Sequence, residues 1–157
     1  MILKEDSSEQ KLRGAYYTPL KLAKKMVDFF KDDLSIKSIL EPSCGDGVFV
    51  DALLESQFLS QHKRVTAIEI EKKEAEKLSE KLKDNSNIDV VNGDFFEFYH
   101  KHKDMDTYDL ILGNPPYIRY QYLEEKQRSE MAEILTSHGM KANKLINTWV
   151  GFMVFIC

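Results

Sequence analysis

An α/β fold, built on a doubly wound and mostly parallel Rossmann-like sheet, is what this sequence predicts, and three observations predict it. Short runs rich in Ile, Leu and Val alternate with longer stretches whose apolar residues recur at helical spacing. Those short runs are bounded by Gly, Pro, Asn and Asp. The residues best suited to binding fall just after them, at the carboxyl ends of strands, where open α/β sheets hold ligands.

Each element has its own justification. Thr18-Pro19 predicts a helix start, a hydroxyl cap followed by proline at the first helical position. From there to about residue 32, Leu22, Ala23, Met26, Val27 and Phe30 share one face. Ser38-Ile39-Leu40 reads as the first strand, and a helix over about 48–58 presents Phe49, Ala52, Leu53 and Leu54. "RVTAIEI" is the second strand. The segment "EKKEAEKLSEKLKDN" then carries Ala75, Leu78 and Leu82 on one stripe, with its Lys and Glu on a solvated face. "IDVV" is the third strand, and "NGDFFEF" turns away from it. "YDLILGN" is the fourth, followed by helical segments at about 121–137 and 143–157. With about four strands the sheet is expected to be incomplete, leaving "YDLIL" at an open edge.

Composition bounds the function. The 157 residues, 43% hydrophobic and 31% charged, suit one modest globular domain or part of a larger one and argue against disorder. A net charge of −4 offers no global basic field for nucleic acid. Cys44 and Cys157 lie too far apart for a disulfide framework or metal-ligand spacing. His100 and His102 lack a Cys or acid at partner spacing, so no metal is expected. The N-terminus is charged and polar from Lys4 onward, unlike a signal peptide. The longest apolar run, "WVGFMVFIC", is far shorter than the ~18–20 residues of a membrane helix. A cytoplasmic protein without a membrane partner is expected.

Four strand ends carry the candidate chemistry. After the first, "EPSCGDG" brings Gly45 and Gly47, which let backbone pass close to a ligand. A full dinucleotide fingerprint wants a third glycine where Val50 stands, so the pair alone also fits a tight turn. Glu41 is placed to meet a ligand ammonium. Glu69, about twenty residues beyond the glycines, sits where an acid accepts from ribose hydroxyls. Asp94 is an acceptor for an adenine amino group, with Phe95 packing on the ring; taken alone, Asp94 also fits an N-cap for the short turn after it. After the fourth strand comes Asn114-Pro115-Pro116-Tyr117. Two prolines stiffen this turn and cannot continue the sheet. The Asn114 side-chain carbonyl and the Pro115 backbone carbonyl are two nearby acceptors for both hydrogens of a planar exocyclic amine. Such an amine is a poor nucleophile, and preorganised acceptors stabilise the positive charge that grows as it attacks. Tyr117 offers a face on which an extruded base stacks.

"RGAYYTP", "LEPSCGDGVF", "AIEI", "GDFF" and "LILGNPPY", in this order, resemble the amino-methylating DNA methyltransferases. The similarity is greatest to N6-adenine enzymes of bacterial restriction–modification systems whose cofactor motifs precede the catalytic one, and it runs from Arg13 to about Met153. The resemblance implies S-adenosylmethionine as methyl donor. It places Thr18 and Glu41 near the methionine moiety and the Ser43–Gly47 backbone beneath the cofactor. Glu69 would hold the ribose hydroxyls, Ile70 would lie against the adenine, and Asp94 and Phe95 would bind the adenine amino group and ring. Asn114, Pro115, Pro116 and Tyr117 would form the catalytic motif, and "NTWVGF" from Asn147 would be a helix packed under it. The implied partners are double-stranded DNA with a flipped adenine and a cognate restriction endonuclease, separate or fused.

The expected organisation is an N-terminal segment, 1–17, and a catalytic domain over 18–157, truncated on its C-terminal side and without a target-recognition region. Such a piece would self-associate through its open edge. It would bind DNA weakly and without sequence preference, through scattered basic residues near Arg119, Lys126, Arg128, Lys141 and Lys144. Three alternatives stand beside this reading. One is an NPPY methyltransferase acting on a protein glutamine amide or an RNA base, which poses the same two-hydrogen problem. Another is a non-catalytic cofactor-binding remnant. The third, a nicotinamide dehydrogenase, leaves the missing glycine and NPPY unexplained.

Overall fold

The computed structural model describes residues 17–59, 62–102, 107–118, 122–141 and 147–156. Arg13 to Tyr16, Arg119 and Lys144, all singled out above, lie outside these residues. In chain order the elements are α1 (Leu20–Asp28), β1 (Ser38–Glu41), α2 (Val48–Glu55), β2 (Arg64–Glu69), α3 (Lys72–Lys81), β3 (Ile88–Asn92), α4 (Phe95–His102), β4 (Leu110–Ile111), α5 (Glu125–Ser137) and α6 (Thr148–Ile156). The four strands form one parallel sheet in the order β3-β2-β1-β4. The chain thus winds outward from β1 to β3, then crosses back to place β4 on the other side of β1. That reversal makes the doubly wound topology, and the crevice outside β1 and β4 is its switch point.

The described residues fall into two compact units, Thr18–Asn114 and a second holding Tyr17 with the residues from Pro115 onward. In the first unit, Ile39, Val65, Ala67 and Leu110 of the sheet form one core with Ala23, Val27, Phe49, Val50, Leu53, Leu78 and Leu82 of the helices. In the second, Leu123, Met131 and Leu135 form a smaller cluster, with Ile118, Val150 and Val154 packed on it.

Four local expectations are corrected. Thr18 does not cap α1: the helix starts one residue later with Pro19 as its N-cap, and the Pro19 carbonyl accepts from the Leu22 and Ala23 N–H groups. The Thr18 hydroxyl instead accepts from the Asn114 side chain. On α1 only Ala23 and Val27 are fully buried, while Leu22 and Phe30 are exposed, because the face that meets α2 is narrower than the apolar stripe. The stretch after β3 is a helix rather than a turn. Asp94 Oδ1 accepts from the Phe96 and Glu97 N–H groups at 2.7 and 3.3 Å, which satisfies orphan donors at the start of α4. The fourth strand is two residues long, although the flanking Asp109 and Leu112 N–H groups still donate to the Ser38 and Leu40 carbonyls at 2.9 and 3.0 Å. Its start is tied to β1 by Asp109, whose Oδ2 accepts from the Lys37 and Ser38 N–H groups, both at 2.8 Å, and from the Ser38 hydroxyl at 2.9 Å. Those hydrogen bonds hold the Asp109 carboxyl below the usual carboxylate range.

The Lys and Glu of α3 lie on its solvated face as expected, paired as Lys72–Glu76 and Lys77–Glu74. His102 stacks on Phe98 within α4, and among the described residues no three His, Cys, Asp or Glu side chains are grouped as metal ligands. No helix among the described residues is long and apolar enough to cross a membrane.

Candidate functional site

The turn after β1 leaves the sheet and enters α2 through two left-handed glycines, Gly45 (φ +54°) and Gly47 (φ +82°). The Cys44 N–H donates to the Ile68 carbonyl at 2.8 Å, binding the turn to the end of β2. A Cβ built on Gly45 would meet nothing within 4 Å, so the backbone here faces open space. Gly47 is the opposite case: a Cβ would lie 2.4 Å from Leu78 Cδ1, so glycine is needed to pack the helix start against α3.

Glu69, at the end of β2, is buried rather than a surface acid. Its Oε2 accepts from the Gly45 N–H at 2.7 Å and its Oε1 from the Glu71 N–H at 2.8 Å. An ionised carboxylate has about four acceptor positions, so these two bonds hold the group in place and leave capacity for further donors. Ile70, the next residue, is 57% exposed, an apolar surface beside that carboxylate. Asp94 and Phe95 follow β3. Asp94 caps α4 as described, and the Phe95 ring is buried against Phe96 and Tyr99 at 5.8 and 6.4 Å between centroids.

Glu41, the last residue of β1, is 1% exposed, and its Oε2 has no hydrogen-bond partner. The Ser43 hydroxyl is likewise buried and unpartnered. Burial pushes the Glu41 carboxyl well above the usual carboxylate range, reinforced by the Asp46, Asp51 and Glu69 carboxylates, with the Val50 N–H opposing weakly. Burial also raises the Cys44 thiol, next to the Glu41 and Glu69 charges, which leaves it inert as a nucleophile. The Glu41 carboxyl is thus buried with an orphaned oxygen just ahead of the glycine turn.

That arrangement has a pH signature. Because the folded chain holds the Glu41 proton more tightly than the unfolded chain does, its stabilising effect is full below the unfolded value near 4.5 and is lost as pH rises through the folded value. The slope is at most about 1.4 kcal/mol per pH unit for one group. Glu41→Gln removes it. In urea melts of the ligand-free chain from about pH 5 to about pH 8, the variant should gain on the parent as pH rises. Parallel curves would show that Glu41 ionises in the folded chain as easily as in water.

Beyond β4, Gly113 passes close to the first turn: a Cβ on it would lie 3.3 Å from Pro42 Cδ. Asn114 follows, and its Nδ2 donates to the Thr18 hydroxyl at 3.3 Å, which turns Oδ1 away from Thr18. Within the first unit, therefore, Thr18, Glu41, Ser43, Gly45, Gly47, Glu69, Ile70 and Asn114 all lie on the carboxyl-end side of the sheet. The boundary between the units falls inside the NPPY motif. Pro115 is buried, Pro116 half-buried, and the Tyr117 ring 45% exposed. One residue that the sequence reading passed over touches this motif. Thr148, at the start of α6, is 3% exposed, and its hydroxyl donates to the Pro116 carbonyl and accepts from the Ile118 N–H at 3.1 Å.

The chain is similar to known proteins. The chain is 32% identical over 128 residues to the type II methyltransferase M.HincII of Haemophilus influenzae, an alignment covering 82% of this chain and 22% of that protein. It is 28% identical over 139 residues to the type II methyltransferase M.AccI of Acinetobacter calcoaceticus, covering 88% of this chain and 24% of that protein. The chain thus spans less than a quarter of the length of these curated relatives. Among solved structures, the methyltransferase subunit of the type I restriction-modification system of Streptococcus thermophilus superposes with a TM-score of 0.68 at 17% identity, covering 89% of this chain and 30% of that one. That likeness shows the Rossmann-like fold. The model of the Eco57I restriction-modification methylase family matches residues 15–155, from before α1 into α6 and through every strand end described above, and the chain belongs to that family.

Proposed function

We propose that this chain is a catalytic-domain portion of a site-specific DNA methyltransferase that moves a methyl group from S-adenosylmethionine to the N6 amine of adenine, within a restriction–modification system. The observation that carries the reading is the Asn114 motif, set directly beyond the strand that neighbours the glycine turn. Family membership supports methyl transfer. The two acceptors that Asn114 and Pro115 bring side by side in sequence support a planar amine as the target.

The chain's donor set fits the cofactor. The orphaned Glu41 oxygen suits the α-ammonium of a methionine moiety, and the Ser43 hydroxyl offers a further polar contact. Gly45 leaves room for a ligand against the backbone, Glu69 has acceptor capacity for ribose hydroxyls, and exposed Ile70 supplies an apolar wall for adenine. Asp94 and Phe95 are assigned to the adenine end, with Asp94 also serving as the α4 cap. When bound, the cofactor supplies an electrophilic methyl group. The chain's part is to hold the amine in line. Asn114 Oδ1 and the Pro115 carbonyl accept its two hydrogens, and the Tyr117 ring supports an extruded base. We assign residues 18–157 to the catalytic domain. Sequence recognition then belongs to a region of the parent protein outside this chain, and the endonuclease that would complete the system is separate or fused.

Two measurements test this. Methyl transfer from labelled cofactor, followed by digestion of the product to nucleosides, should yield N6-methyladenine from DNA. Label appearing in RNA or in a glutamine side chain would replace the substrate assignment. In calorimetry, Glu69→Ala should weaken cofactor binding by roughly 1–3 kcal/mol, the loss of a charged acceptor. Equal affinity in a folded variant would remove Glu69 from the site.

A further inference from the structure

We infer that Thr148 is a positioning residue for the catalytic turn, fixing the backbone on both sides of Tyr117 through one hydroxyl. The inference rests on the reading of Asn114–Tyr117 as the catalytic motif. Its own observations come from the second unit. The Thr148 hydroxyl donates to the Pro116 carbonyl and accepts from the Ile118 N–H at 3.1 Å, and the Thr148 N–H donates to the Ile118 carbonyl at 2.8 Å. Peptide groups are planar and rigid, so a residue's φ and ψ are set by the two planes that flank it. The Pro116 carbonyl belongs to the plane before Tyr117, and the Ile118 N–H to the plane after it. One side chain therefore grips both.

The grip is needed because the turn has no regular pairing of its own. Residues 112–118 carry neither helix nor strand, and proline supplies no N–H at 115 or 116. Thr148 is itself held: it is 3% exposed at the start of α6, a helix whose Val150 and Val154 pack on the cluster that includes Ile118. Tyr117 is 45% exposed on an anchored backbone. A stacking platform needs such a fixed stem. The hydroxyl also satisfies one acceptor and one donor that no ladder would otherwise pair.

The test compares Thr148→Val, which keeps the shape and removes the hydroxyl, with Thr148→Ser, which keeps the hydroxyl. Methyl transfer to unmethylated DNA of mixed sequence is measured in the complete protein, with Asn114→Ala as a control. Thr148→Val should lower kcat about tenfold, the cost of leaving both partners unpaired, while cofactor affinity stays at the parent value. Thr148→Ser should restore most of the rate. Because Thr148 acts through Tyr117, adding Thr148→Val to Tyr117→Ala should cost far less than it costs alone. Thermal denaturation of each variant beside the parent reports whether the fold is intact. If Asn114→Ala is damaging but Thr148→Val matches the parent, or if the two losses simply add, the positioning role is overturned and the functional reading stands. If Thr148→Ser is as damaging as Thr148→Val, the hydroxyl is not what acts, and the role is likewise overturned. If the parent transfers no methyl group, or Asn114→Ala leaves transfer unchanged, the functional reading itself fails.

Discussion

Asn114→Ala is expected to reduce turnover of the complete enzyme by about a hundredfold or more, because one preorganised acceptor is typically worth ~2.7–4 kcal/mol in the transition state. The side chain is set by two constraints in the structure. Its backbone follows Gly113, which passes against Pro42, and its Nδ2 is committed to the Thr18 hydroxyl. That bond turns Oδ1 away from Thr18, and an acceptor held before substrate arrives is worth more than one in water. The Thr18 hydroxyl thus contacts the motif, which its place before Pro19 did not suggest. Tyr117→Ala should cost less, ~1–3 kcal/mol, through lost stacking. Tyr117→Phe should keep most activity, since the ring face carries the role. Steady-state kinetics on labelled transfer decide the matter. An Asn114→Ala enzyme within a few-fold of the parent would mean that the amine is held elsewhere. A Phe variant as damaged as the Ala variant would shift the role from ring to hydroxyl.

The sheet was legible because its strands are buried runs between glycine- and proline-containing turns, and β1 to β3 fall where "SIL", "RVTAIEI" and "IDVV" stand. What escaped were features that depend on partners distant in sequence. Thr18 looks like a cap by its neighbours, but Asn114, 96 residues away, claims its hydroxyl. "YDLILGN" reads as seven residues of strand, yet the strand register covers Leu110 and Ile111 against Ile39 and Leu40, and the last backbone bond to β1 is from Leu112, because the chain must leave the sheet to make the proline turn. The helix α4 was hidden because Asp94 and two phenylalanines served the ligand and the cap readings equally. Thr148 was invisible for a like reason: a threonine opening an apolar helix looks like ordinary helix chemistry until the carbonyl of Pro116 is found beside it. A contiguous motif shows in sequence. A contact made to it by a residue distant in the chain does not.

Gly47→Ala should be the most destabilising single-methyl change in the first unit, and Gly45→Ala separates its two causes. At φ +82° an alanine Cβ crowds the following carbonyl, a backbone cost of about 1–2 kcal/mol. The same Cβ would lie 2.4 Å from Leu78 Cδ1 and 3.3 Å from Cγ. Leu78 cannot swing clear, since it is 2% exposed and packed in the main core, so overpacking adds about 1–3 kcal/mol. Together these predict a loss of about 2–5 kcal/mol in urea denaturation, with the slope unchanged. Gly45 is also left-handed, at φ +54°, but its Cβ would meet nothing within 4 Å. Gly45→Ala should therefore pay only the backbone part, about 1–2 kcal/mol. Its effect on binding should be the larger one, because the new methyl enters the open space that a cofactor would occupy. Gly93, with no left-handed φ and nothing within 4 Å, is the control: Gly93→Ala should change stability by about 0.5 kcal/mol or less. If the Gly45 and Gly47 variants lost equal stability, Leu78 would have found room, and close packing of α2 on α3 would not be what demands glycine at 47. If Gly45→Ala bound cofactor as the parent does, the open face of the turn would not be where the cofactor lies.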